Sequence, residues 1–192
     1  KKLKVDYLLI PEVNEVYKKK IKKKINLKMK DKIMCAKYRP GHFEGVLAVI
    51  NQFLKLIKPK YIFFGEKDYQ QLHLIKKLIR KKFITKVISC PTIRDKNKVA
   101  LSSRNILLNS NDKKKSSFIA KLLLSFKNKL NNEIHLKKNI NKIIFDINSI
   151  KNINIEYLEI RNKNNLSKIF DKKNFKIFLA YYNKKIRLID NY

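Results

Sequence analysis

The chain has 192 residues and 44% hydrophobic content, room for one large or two small domains with real cores, and no apolar stretch long enough to cross a membrane. Lys and Arg number 47 against 15 Asp and Glu, a formal charge of +32. The lysines are spread over every segment and no recognition motif accompanies them, so a basic nucleic-acid-binding protein stands only as the alternative class. Cys35 and Cys90 form no Cys-x-x-Cys unit, and three widely separated histidines make no zinc site. A reducing, cytoplasmic setting fits, with no membrane partner and no specific nucleic acid. Lys1 opens the chain with no signal peptide in view.

Taken in order, Val5–Ile10 reads as a strand stopped by Pro11, and Glu12 to Tyr17 as a helical turn. Lys18 to Lys37 alternates charge with Ile21, Ile25, Leu27, Met29, Ile33 and Cys35, and over Asn26 to Lys37 this suits half-buried strands. Arg39-Pro40-Gly41 is a turn. The clearest helix follows, with Phe43, Val46, Leu47, Ile50, Phe53, Leu54 and Ile57 on one face and Pro59 ending it. His42 sits at its start, where capping or packing is its ordinary role.

Tyr61-Ile62-Phe63-Phe64 reads as a short buried strand, and Leu72, Ile75, Leu78 and Ile79 give a helix over 70–80. With the run at Val87-Ile88 this makes a βαβ unit whose right-handed crossover sets the strands parallel. The junction, Gly65-Glu66-Lys67-Asp68, lies where open α/β sheets bind ligands. Lys67 suits a phosphate there and Asp68 a ribose; equally, this is an ordinary βα loop with Asp68 as helix N-cap. Gln71 falls one turn into the helix, where a solvated amide is the plain reading. His73 falls on the lysine-rich face and takes no role. Cys90 ends an apolar run and reads as a small buried hydrophobe.

Asp95-Lys96-Asn97-Lys98 is a polar turn. In Leu101-Ser102-Ser103-Arg104-Asn105, two hydroxyls and a guanidinium in succession suit phosphate oxygens, although a serine-rich loop explains them too. Asn109-Ser110-Asn111-Asp112 offers caps for a helix to about Leu130, with Phe118, Ile119, Leu122, Leu123 and Phe126 on its apolar face. A second helix covers 136–148, with His135 in the connection before it. Ile153–Ile160, Phe175–Tyr182 and Lys185–Ile189 alternate as strands, with Asn183-Lys184 as a tight hairpin turn.

Four strings, kept in one order, carry a resemblance. Phe64-Gly65-Glu66-Lys67-Asp68-Tyr69-Gln70-Gln71-Leu72, Arg39-Pro40-Gly41-His42-Phe43, Leu101-Ser102-Ser103-Arg104-Asn105 and Ile186-Arg187-Leu188-Ile189-Asp190-Asn191 resemble segments of the pantothenate synthetase family. Lys98 departs from it, standing where the family usually has glycine. The resemblance implies an α/β chain. The later part of a Rossmann-like nucleotide-binding domain, its N-terminal part missing, falls at 1–92, and a smaller α+β domain with an antiparallel sheet at 93–192, the site lying between them. It implies a cytoplasmic homodimeric ligase that joins pantoate to β-alanine through pantoyl adenylate, with ATP as substrate and Mg²⁺ as cofactor, releasing AMP and pyrophosphate. Another adenylate-forming transferase of the same superfamily is the neighbouring reading.

By the same resemblance Gly65, Glu66, Lys67, Asp68, Ile93, Leu101, Ser102, Ser103 and Arg104 touch ATP. Lys67, Ser102, Ser103 and Arg104 act on the reacting phosphates, Gln71 holds pantoate, and His42 stands near the ATP site. The family's Met-x-x-Leu-His-x-Gly-His segment is not found in the chain, so the chain by itself is expected to be largely inactive.

Overall fold

The computed structural model describes residues 4–16, 25–130 and 133–192. They form two compact units. One holds the described residues through Phe64 together with Gln70–Ile88; the other holds Gly65–Tyr69 and Ser89–Tyr192. The architecture is α/β, with a two-stranded parallel sheet and a three-stranded antiparallel one.

The first unit contains α1 (Val13–Val16), α2 (Cys35–Tyr38), α3 (His42–Ile57), strand β1 (Tyr61–Gly65, its last residue grouped with the second unit), the body of α4 (Tyr69–Lys82) and the start of β2 (Lys86–Cys90). Two helices follow their sequence patterns. In α3 the apolar face buries Phe43, Leu47 and Leu54, and Lys58 closes the helix in a left-handed conformation one residue before Pro59. Gly41 precedes it at φ 79, a conformation that costs glycine little and other residues more. Helix α4 buries Leu72, Leu74, Ile75, Leu78 and Ile79, and it buries Gln70 as well. The Gln70 amide nitrogen, Nε2, donates to the carbonyls of Asp31 at 3.2 Å and Ile33 at 2.8 Å. Lys77 adds an ion pair to Asp31 at 2.6 Å.

That anchorage corrects the strands expected over Asn26 to Lys37. The described part of this segment forms a 3-10 turn at Met29–Asp31 and then α2. Three consecutive residues, Met34, Cys35 and Ala36, are buried, which no half-buried strand permits. Residues 17–24 lie outside the described residues, so the part of the alternation at Ile21 does too. Val5–Ile10 forms no strand either: Tyr7, Leu8 and Ile10 are exposed, and no neighbouring strand pairs with them among the described residues. A β-pattern without a partner to satisfy its N–H and C=O groups has no reason to become a strand. In β1 the strand forms, but Tyr61 and Phe63 are exposed, so the apolar run is not buried on both faces. Cys35, not Cys90, is the buried thiol, and neither is in a disulfide.

The second unit is built on β3 (Ile153–Asn162), β4 (Phe175–Asn183) and β5 (Ile186–Asn191), paired antiparallel in that order. The β4–β5 turn is Lys184-Lys185, with Asn183 opposite Ile186. Lys184 adopts φ 55, the left-handed conformation for which glycine is usual in such turns. Helices α5 (Ser110–Lys129) and α6 (Glu133–Asn148) pack on β4 and β3. Asn109 caps α5, its side chain accepting from the Asp112 N–H at 2.8 Å. Ile119, Leu123 and Phe126 of α5 join Ile147, Ile177, Leu179, Tyr181 and Tyr192 in one core. Phe118 does not: it is exposed, and Ser116, Ser117 and Ala120 take the buried positions beside Ile119. His135 falls inside α6 and not in the connection before it, and its side chain lies outside the described residues.

Two tyrosines in this core report on it. Burial pushes the Tyr181 hydroxyl up to about 12, and burial with the charge of Asp190 holds Tyr192 well above the ordinary 10.0. A tyrosine raised in the folded state contributes stability that is complete below its unfolded value and is lost as pH climbs towards the folded one. Urea stability should therefore fall as pH rises from 10 to about 12. Absorbance titration should show Tyr181 and Tyr192 ionising only with unfolding; their ionisation near pH 10 in folded protein would contradict the burial.

Candidate functional site

After Gly65 the backbone turns through one 3-10 turn, Glu66–Asp68, before α4 begins at Tyr69. Gly65 and Asp68 are exposed, while Glu66 and Lys67 are half-buried. The turn is held by its backbone: the Asn191 amide donates to the carbonyls of Glu66 and Lys67, each at 2.9 Å. Its side chains are held separately. Lys176 lies 3.6 Å from the Glu66 carboxylate and 5.0 Å from the centre of the Tyr69 ring. Burial lowers the Lys176 pKa, the Glu66 charge opposes that, and Lys127 and Arg94 reinforce it. Burial and Glu66 both raise the Tyr69 hydroxyl, which donates to the Lys163 carbonyl at 3.0 Å.

The second segment begins at Ile93, whose carbonyl accepts from the Leu101 N–H at 2.9 Å; Arg94 and Ala100 form an antiparallel bridge. The turn between them is organised by Asp95, which accepts from the N–H groups of Asn97 and Val99 at 2.8 and 3.0 Å. Lys98 adopts φ 69 within it. The loop thus keeps the left-handed conformation that glycine favours, with lysine in place. Its carbonyl accepts from Arg94 at 2.8 Å, a bond that any residue at 98 can make.

Ser102 then caps a 3-10 helix over Ser103–Leu107, its hydroxyl accepting from the Arg104 N–H at 3.3 Å. Asn105 donates to the Ala100 carbonyl at 3.0 Å. Arg104 donates to the Arg187 carbonyl at 3.0 Å and is otherwise exposed. Lys67, Ser102 and Arg104, drawn from two separate segments, line one pocket with Val99, Ala100, Asn105, Tyr181, Leu188, Ile189 and Asp190. A lysine, a serine and an arginine lining one opening offer donors that suit an anion.

The other expected residues are not part of that pocket's lining. Ser103, Leu101 and Ile93 are exposed. Gln71 is half-buried on α4, and His42 half-buried at the start of α3, its ring 5.0 Å from Phe43. Both belong to the first unit. The residues overlooked in the sequence are Arg94, Lys176, Asp190 and Asn191. Asp190-Asn191 closes one of the recognised strings, but nothing in a linear pattern says that Arg94 meets Asp190 in a two-pronged ion pair at 2.9 Å. Among the described residues no group of three His, Cys, Asp or Glu is placed to hold a metal ion, and no helix is long and apolar enough to cross a membrane.

The turn at Lys98 is open to test. A non-glycine residue in the left-handed region costs ~1–2 kcal/mol, part of which glycine returns through its freer unfolded chain. Lys98→Gly should therefore raise stability by about 0.5–1 kcal/mol in urea unfolding, and Lys98→Val should lower it. Equal stability of Lys98→Val and the parent would remove the strain argument.

Both the sequence and the fold match known proteins. The sequence model of the pantoate-beta-alanine ligase family matches residues 1–192. The chain is 37% identical over 189 residues to the pantothenate synthetase of Azobacteroides pseudotrichonymphae, a match covering 96% of the chain and 67% of that protein. It is 39% identical to the pantothenate synthetase of Buchnera aphidicola subsp. Schizaphis graminum, covering 100% of the chain and 69% of that protein. Its fold matches the crystal structure of the Thermus thermophilus enzyme at TM-score 0.85 and 27% identity, over 100% of the chain and 70% of that structure. The Francisella tularensis pantoate-beta-alanine ligase, crystallised with beta-gamma ATP and beta-alanine, matches at TM-score 0.73 and 35% identity, over 93% of the chain and 61% of that structure.

Proposed function

The chain belongs to the pantoate-beta-alanine ligase family, and from that premise we propose how its residues carry the ligation. It is a ligase that joins pantoate and β-alanine to give pantothenate, with ATP as substrate. In the first step a pantoate carboxylate oxygen attacks the α-phosphorus of ATP. The bond from that phosphorus to the bridging oxygen breaks, and pyrophosphate leaves with the electron pair. In the second step the β-alanine amine attacks the acyl carbon of pantoyl adenylate, the acyl–oxygen bond breaks, AMP leaves, and the amine gives up a proton.

The first step brings the pantoate carboxylate up to the polyanionic triphosphate of ATP, so its barrier is set by repulsion and by the charge that develops on the phosphates. The pocket of Lys67, Ser102 and Arg104 is the observation that carries the reading. Lys67 and Arg104 are assigned to the reacting phosphates, with Ser102 and Ser103 as hydroxyl donors. Gly65, Glu66, Asp68, Ile93 and Leu101 complete the ATP contacts, Asp68 at the ribose. Gln71 orients pantoate, and His42 is assigned near the nucleotide. Mg²⁺ would enter with ATP and, beside Lys67 and Arg104, would offset the charge of its phosphates. The larger assignments follow the same family likeness: a Rossmann-like nucleotide-binding domain over 1–92, a smaller domain over 93–192, a homodimer, and a cytoplasmic setting.

In the whole enzyme, Lys67→Ala should slow AMP release measured with ATP, Mg²⁺, pantoate and β-alanine. Loss of one charge-assisted contact costs roughly 1.5–3 kcal/mol, about ten- to hundredfold in rate. Unchanged pantoyl adenylate formation would remove Lys67 from the phosphate site.

Gln71→Ala separates the substrates. It should raise KM for pantoate well above any change in KM for ATP, since an orienting amide on one substrate contributes little to the other. Equal changes in both would point instead to distortion at the start of α4.

A further inference from the structure

Asn191 is the last residue of β5, opposite Phe178 of β4, and is 3% exposed. Its amide nitrogen gives two hydrogen bonds, to the carbonyls of Glu66 and Lys67, and its amide oxygen accepts from the Lys176 ammonium at 3.1 Å. Chemistry fixes which way the amide faces. Two carbonyls can only accept and an ammonium can only donate, so the reversed amide would set oxygen against two oxygens and NH₂ against NH₃⁺. Lys176 therefore joins the two carbonyls in selecting the amide orientation able to hold the 3-10 turn. The turn is fixed on its other side by Tyr69, whose ring lies 5.7 Å from that of Phe178.

All of these contacts grip the base of Lys67 and none engages its ammonium. Among the described residues no hydrogen bond or ion pair holds the Lys67 side chain, which lines the pocket. Its Cα is pinned while its charged end is left for a ligand. A group that must meet developing charge in the transition state loses rate steeply with small errors of place, ~100-fold for about 1 Å.

We propose that Asn191 is a positioning residue for adenylation: its amide, oriented by Lys176, fixes the backbone of Lys67 and so sets where the Lys67 ammonium meets the phosphates. This rests on the assignment of Lys67 to ATP made above.

The test is steady-state kinetics of AMP release by the whole enzyme carrying Asn191→Ala, Asn191→Asp, Lys176→Met, Lys176→Arg, Lys67→Ala or the double variant Lys67→Ala with Asn191→Ala. Asn191→Ala should lower kcat/KM for ATP by ~tenfold or more, while KM for β-alanine stays within about twofold. Asn191→Asp keeps the size of the side chain, loses the donors, and should be impaired likewise. Lys176→Met should lose part of the activity and Lys176→Arg, which still donates, should restore it. In the Lys67→Ala background Asn191→Ala should cost nothing further, because the group it places is gone.

An ATP kcat/KM within about twofold of the parent in Asn191→Ala or Asn191→Asp overturns the proposal, and so does a full additional loss in the double variant. If Asn191→Ala does not fold, the Lys176→Met and Lys176→Arg pair decides it, since the Lys176 side chain is 18% exposed and is reached without opening the buried amide. Lys67→Ala alone separates the two levels. If it is unimpaired, the phosphate assignment fails and the positioning role with it; if it is impaired and Asn191→Ala is additive to it, only the positioning role fails.

Discussion

Arg94 uses a single guanidinium to tie together two segments 96 positions apart in the chain. It meets both oxygens of Asp190 at 2.9 Å, the carbonyl of Asn191 at 2.7 Å and the carbonyl of Lys98 at 2.8 Å, and its guanidinium carbon lies 4.6 Å from the centre of the Tyr192 ring. Burial opposes its charge, and the hydrogen bonds and charge of Asp190 more than offset that, holding the guanidinium above its usual pKa. Only arginine has this planar fork of donors; lysine would satisfy one partner and leave the rest. The pocket hangs from this contact. On one side the turn at 95–98 leads into Ala100, Ser102 and Arg104. On the other, Asp190 accepts from the Asn191 N–H at 2.7 Å, and Asn191 carries the Lys67 turn.

Such a contact needs a rigid platform, and the three-stranded sheet supplies it. Strands β3 and β4 pair over nearly their full length with one irregularity between Ile155 and Tyr157, beside Glu156. Glu156 takes the Arg187 guanidinium at 2.5 Å there, so the irregular point of the sheet is itself pinned. Behind the sheet, Leu123, Ile147, Ile177 and Leu179 are among the fully buried side chains. The chemistry is thus presented by loops and strand ends, and the precision comes from the packed core underneath.

An excess of basic residues, 47 against 15 acidic ones, would oppose compaction if the acids were scattered. Many of them stand at points where two elements join. Asp31 pairs with Lys77, Asp112 with Lys184, Glu66 with Lys176, Glu156 with Arg187, and Asp190 with Arg94. Most of these carboxylates are well shielded, Asp112 and Asp190 almost wholly so. Removing one partner of a shielded pair leaves an uncompensated charge, so these contacts specify geometry more than they add stability. Charges that face solvent instead are screened by salt within about 8–10 Å.

Local signals were enough for much of this protein. Apolar spacing marked α3, α4, α5 and the strands of the antiparallel sheet, because periodicity is written into consecutive residues. The strings around Lys67 and Ser102-Ser103-Arg104 were legible for the same reason, and both enter one pocket lining. The amphipathic runs at Val5–Ile10 and Asn26 to Lys37 misled, because an alternating pattern becomes a strand only where a neighbour accepts its hydrogen bonds, and here Gln70 and Lys77 take hold of Asp31 and Ile33 instead. What tertiary structure alone decided is the support of the site. Arg94 with Asp190, and Asn191 with the carbonyls of Glu66 and Lys67, are partners 96 to 125 positions apart. Backbone carbonyls are the same at every residue, so no side-chain pattern can announce which one an amide will reach. The sequence by itself determined which chemical groups are available and the elements that carry them; the folding of β5 beside the Lys67 turn determined which of those groups are held in place and which are left free for a ligand.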